Sequence, residues 1–75
     1  MELEAIREAV HRQPFQPFAL RLADGRQLLV PHPDFIAVPP VGRRVAVFDH
    51  AGALSILEPL LIVSIDFAQT SPSPN

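Results

Sequence analysis

The sequence predicts a mostly β (α+β) domain: an N-terminal helix followed by a five-stranded antiparallel small barrel or strongly bent sheet. Three observations carry that reading. Apolar residues recur at helical spacing between Glu2 and Arg12, the period becomes two from Phe18 onward, and turns containing glycine or proline then punctuate the chain at short intervals. With 75 residues there is room for one domain, taken as residues 1–68. Residues 69–75 hold serine, threonine and two prolines but no large apolar side chain, which predicts a disordered tail.

In the first segment Leu3, Ile6 and Val10 share a side with Ala5 and Ala9 at its edges, leaving Glu4, Arg7, Glu8, His11 and Arg12 for solvent. Acids lead and bases close the segment, as the helix dipole prefers, and Glu8 with Arg12 is spaced for an i,i+4 ion pair. Pro14 ends the helix, because the residue before a proline is pushed out of the α region. Gln13-Pro14-Phe15-Gln16-Pro17-Phe18 carries two phenylalanines that are costly to expose, so it reads as a buried strap and not as a free linker or a PxxP ligand.

Phe18, Leu20 and Leu22 alternate with Ala19, Arg21 and Ala23 before Asp24-Gly25 turns the chain. A two-residue loop would set Arg21 opposite Leu28. A three-residue loop with Gly25 in the left-handed region sets Leu22 opposite Arg26, Leu20 opposite Leu28 and Phe18 opposite Val30, which keeps the apolar residues on one face. The expected turn is therefore type I with a bulge at Gly25. Pro31-His32-Pro33-Asp34 then bends or breaks the second strand, which resumes at Phe35–Val38. Pro39-Pro40-Val41-Gly42 and Asp49-His50-Ala51-Gly52 are further turns flanking a third strand, Arg44–Phe48, and Ala53–Leu57 is the fourth. Glu58-Pro59 starts a tight turn through Leu61, and the last strand, Ile62–Phe67, is expected to face Val63, Ile65 and Phe67 inward.

Composition narrows the function classes. Apolar residues make up 48% and charged residues only 19%, so surplus apolar surface favours a homo-oligomer or a protein partner. Cysteine is absent, which removes disulfides and thiolate metal sites as sources of stability and points the same way. Net charge is −2 and all six basic residues are arginine, so there is no lysine stripe to track a phosphate backbone, and nucleic acid is disfavoured as a partner. Met1-Glu2-Leu3-Glu4 is acidic where a secretory signal is basic, and apolar runs such as Leu60–Val63 are far too short to span a bilayer. The expectation is a cytoplasmic protein with no membrane segment.

Six polar residues form the candidate interaction cluster: Arg26, His32, Asp34, Arg43, Arg44 and His50. His32 beside Asp34 has the residue types of a general base or a metal ligand, and Asp49-His50 repeats the pair; with His11 they would make a zinc site if the fold gathered them. The structural alternative is preferred, with Asp34 accepting backbone N–H groups in an Asx turn and His32 bonded at a strand edge. Arg43-Arg44 beside a turn reads as solvated surface before phosphate clamp. No HExxH, GxGxxG, P-loop or GxSxG pattern occurs, so no catalytic residue, metal or cofactor is assigned.

The element order, the Ala23-Asp24-Gly25-Arg26 hairpin and the final Ile62-Val63-Ser64-Ile65 strand resemble the Sm-like variant of SH3-like small β-barrels over residues 3–67. That resemblance implies ring assembly and RNA binding through the loop after the second strand and a basic or histidine-containing signature between the last two strands. Here the second place reads Leu57-Glu58-Pro59-Leu60, an acid with no base. Residue by residue, Gln13-Pro14-Phe15-x-Pro17-Phe18, Asp24-Gly25-Arg26 and Val30-x-His32-Pro33-Asp34-Phe35 resemble a family of small uncharacterised bacterial proteins. Taken together, the expectation is a small non-catalytic oligomeric interaction or scaffold module. An Sm-like nucleic-acid-binding protein is the alternative, and a small metal-dependent or acid/base enzyme is third.

Overall fold

Alternate faces of short segments decide the architecture, which the computed structural model describes for residues 1–67. Helix α1 (Leu3–Val10) buries Ile6 and Ala9, with Leu3 and Val10 half-buried beside them. It spans the apolar pattern from Leu3 to Val10 and stops short of His11 and Arg12. An eight-residue helix is marginal alone and persists through what it packs against. The turn closes with the His11 N–H on the Arg7 carbonyl, and the expected Glu8–Arg12 pair does not form. Arg12 instead places its guanidinium carbon 4.7 Å from the centre of the Phe67 ring, a cation–π contact. The ion pair on the helix is Arg7 with Glu4, at 2.8 Å, and Arg7 also donates to the Pro39 carbonyl at 2.9 Å.

Six strands follow in two three-stranded antiparallel sheets. The first has the order β2 (Gln27–Val30), β1 (Phe18–Leu22), β6 (Ile62–Phe67); the second has β3 (Ile36–Ala37), β4 (Val45–Phe48), β5 (Leu54–Leu57). β5 and β6 are both edges, so among the described residues the sheets are not closed into a barrel. The sixth strand arises where the second was expected to bend. Pro33–Phe35 forms a 3-10 turn capped by His32, and on leaving it the chain enters the other sheet as β3. A proline lacks the N–H that a ladder needs, so the break falls there.

The first hairpin has the register that keeping one apolar face demands: Phe18 opposite Val30, Leu20 opposite Leu28, and the Leu22 N–H on the Arg26 carbonyl at 2.8 Å. Gly25, with φ of 93°, closes a type I turn onto the Leu22 carbonyl. The β4–β5 hairpin repeats the device. The Gly52 N–H bonds the Asp49 carbonyl, the Asp49 N–H bonds the Ala53 carbonyl, and Gly52 has φ of 85°.

The core lies between the two sheets and under the helix, with Ile6, Leu20, Val30 and Val45 wholly buried and Phe18 and Ile62 nearly so. The strap behaves as expected of its phenylalanines: Phe15 packs on the core, and Phe18 touches the rings of Phe15 and Phe67 at 6.0 and 5.9 Å. One inward assignment fails. The β1–β6 ladder pairs Arg21 with Ser64 but Leu22 with Ile62, so Val63 is the extra residue of a bulge; Ile62 takes the core position and Val63 is 55% exposed. The expected tail, 69–75, lies outside the described residues.

Candidate functional site

β4 and β5 pair without a register shift, so their side chains alternate cleanly between two faces. Val45, Val47 and Leu57 point into the core. The opposite face carries the cross-strand pairs Phe48–Leu54 and Ala46–Ile56, with Ala37 of β3 beside Ala46. Every one of these five side chains is apolar, and Leu54 and Ile56 remain 51% and 58% exposed. An ion pair, Arg44 Nε to Glu58 Oε2 at 3.0 Å, marks one end of the patch, and the Asp49-His50 turn marks the other. Pro39 and Pro40 wall one side, leaving a shallow hollow of about 400 Å³ floored by Ala37, Ala46 and Ile56. A contiguous apolar face with a polar rim is the usual character of a contact surface.

The outer face of the first sheet is mixed, with Leu29 66% exposed beside a polar network. There the Asp66 carboxylate accepts from Arg21 Nε at 3.3 Å, Gln27 Nε2 at 3.4 Å and Ser64 Oγ at 3.1 Å. Cross-strand polar pairs of this kind suit water.

The six residues singled out in the sequence do not converge. Arg26 folds back on Asp24, its Nε 2.9 Å from Oδ2, at the first hairpin. Its backbone N–H also donates to Oδ1 at 3.0 Å, and chiefly for that reason the Asp24 carboxyl is held below its ordinary 3.8, with the guanidinium adding to the effect. Arg44 is engaged by Glu58, so the acid in the Leu57-Glu58-Pro59-Leu60 corner is matched from within the chain. Arg43 is exposed in the turn before β4 and makes no ion pair among the described residues. His50 lies against Phe35, with ring centres 5.0 Å apart, and His32 lies 6.4 Å from Phe15.

At His32-Pro33-Asp34 the hydrogen bonding differs from the expected Asx turn at Asp34. His32 Nδ1 accepts the Asp34 N–H at 3.2 Å and caps the 3-10 turn; the Asp34 carboxylate is 88% exposed and sits 3.5 Å from the same nitrogen. The Asx role falls to Asp49, whose Oδ1 accepts the N–H groups of Ala51 and Ala53, each at 2.9 Å. Among the described residues no group of three His, Asp or Glu side chains is placed to hold a metal ion, and no helix is long and apolar enough to cross a membrane.

A cleft of about 280 Å³ opens between the sheets beside Leu28, Phe35 and Ser55. Its acid, Asp49, is already spent on the turn amides. The apolar face of the second sheet is the site that reading the sequence missed. β4 is apolar on both faces and β5 carries its one polar residue, Ser55, on the inner face, so alternation alone does not mark which face is turned outward. Comparison with protein-family models, with curated proteins and with solved structures returned no match.

Proposed function

We propose that this chain is a non-catalytic interaction module, an oligomer-forming unit whose contact surface is the outer face of β3, β4 and β5. The two sheets are read as the halves of a small barrel of the Sm-like or SH3-like kind. What supports the reading is the contiguous patch of Ala37, Ala46, Phe48, Leu54 and Ile56, set against the other sheet, whose outer face carries a polar network around Asp66 beside the exposed Leu29. Covering the exposed half of Leu54 or of Ile56 contributes about 1 kcal/mol each. Two copies bring four such side chains, about 4 kcal/mol in all, so a micromolar association needs the rest of the patch and the strand backbones as well.

Sedimentation equilibrium tests this. The chain is expected to weigh more than its 8.2 kDa at micromolar concentration and to approach that value on dilution. The double variant L54K/I56K is expected to stay at the single-chain mass with an unchanged far-UV circular dichroism spectrum. A wild-type chain that remains single up to submillimolar concentration sinks the proposal.

A further inference from the structure

The free edge of β5 has a hydrogen-bonding parity that chooses its own partner. The Asp49 N–H bonds the Ala53 carbonyl at 3.0 Å, which makes Asp49 and Ala53 a hydrogen-bonded pair. Such pairs alternate along an antiparallel ladder, so Val47–Ser55 and Val45–Leu57 are also hydrogen-bonded pairs. Ser55 and Leu57 therefore spend their backbone groups on β4. The N–H and C=O groups of Leu54 and Ile56 are left pointing away from it, along an edge that no strand covers among the described residues.

Building on the interaction reading above, we propose that β5 pairs antiparallel with β5 of a second copy about a twofold axis at Ser55, with Leu54 opposite Ile56 of that copy and Ser55 opposite Ser55. Residues directly opposite share a face, so a register that joins outer face to outer face must pair positions of like parity. Centring on Ser55 joins all four outward-pointing residues to one another, giving four inter-chain backbone hydrogen bonds, and it sets apolar against apolar throughout. Centring on Ile56 places Leu54 opposite Glu58, whose carboxylate is held by Arg44. Centring on Leu54 runs Ile56 into the turn residue Gly52.

Of the other edges, β2 equals β5 in length but opens on the polar Gln27 and runs directly into Pro31, and β6 is a poorer match for a different reason. Its outer face carries Ser64 and Asp66, so β5 laid alongside would abut Leu54 and Ile56 against the Asp66 network. Its end is flanked by α1, with Arg12 stacked on Phe67. β5 has none of the usual edge protections, neither lysine, proline, inward charge nor bulge. Self-pairing also covers laterally the two most exposed side chains of the outer face.

The chain contains no cysteine, so single substitutions give clean cross-linking probes. Across the axis the two Ser55 residues form a non-hydrogen-bonded pair with Cα atoms about 4.5 Å apart, within disulfide range. Under a mild thiol oxidant S55C is expected to form a linked dimer several-fold faster than R43C, which is exposed but off the edge. A mixture of L54C and I56C is expected to link as the heterodimer in preference to either homodimer. If sedimentation shows an oligomer while S55C links no faster than R43C and the mixture shows no preference, this register is wrong and the interaction reading survives. An oligomer larger than two copies overturns the twofold arrangement. A strictly single wild-type chain removes both.

Discussion

Replacing Gly25 by alanine isolates the conformational cost of the hairpin. Gly25 has φ of 93°, in the left-handed region, and a Cβ built there meets no atom within 4 Å. Nothing collides, so the cost is that of holding an L-residue in an unfavourable backbone well, about 1–2 kcal/mol. Alanine also restricts the unfolded chain, which returns about 0.4–1 kcal/mol. The net loss expected is about 1 kcal/mol, a fall in Tm of about 4–8 °C for a domain of this size. Gly52 has φ of 85° and equally open surroundings in the other sheet, so G52A should cost the same and the double variant about twice as much. Asparagine at either position should cost less, since its side chain tolerates that region. With no tryptophan or tyrosine in the chain, urea unfolding followed by far-UV circular dichroism is the suitable assay. A neutral G25A, or a loss above about 3 kcal/mol, would refute the reasoning, because the first denies the backbone requirement and the second demands a collision the structure does not contain.

Two further outcomes follow from the same geometry. Ile6 is fully buried where the helix meets the sheets, so I6A should cost about 2–5 kcal/mol in urea unfolding; a loss under 1 kcal/mol would mean that the helix contributes little to the core. The Asp24 carboxyl should titrate below 3.8 by NMR, and its share of hairpin stability is then full at pH values above that and disappears as pH falls through the lowered midpoint. Because the Arg26 backbone N–H is the first cause, R26A should raise the midpoint only partly; a full return to 3.8 would assign the effect to the guanidinium.

The local devices of the fold were legible from residue identity. Asp24-Gly25 between alternating segments determines the first register, and Pro33 locates the interruption of the second strand, because both act through backbone chemistry within a few residues. What was hidden depends on partners distant in sequence. The bulge that turns Val63 out exists only in the pairing of β6 with β1, at the far end of the chain. Arg12 leaves the helix for Phe67, some 55 residues away by number. The apolar outer face was hidden for a related reason: in Val45-Ala46-Val47-Phe48 every residue is apolar, and only the placement of the core on one side shows that Phe48 is left outside. The polar cluster failed to gather because its members sit in separate turns and most are engaged there or nearby, His32 with Asp34, Arg26 with Asp24, Arg44 with Glu58 and His50 with the Phe35 ring.

Period-two alternation in β4 and β5 divides labour at the scale of single residues. Val45, Val47 and Leu57 answer to the core, while Ala46, Phe48, Leu54 and Ile56 answer only to whatever lies outside. Substitutions at the outward positions are thus nearly uncoupled from folding, and recognition can drift across generations while the scaffold beneath it stays under its own selection. On the proposed reading, altering every second residue of two short strands would be enough to change the partner.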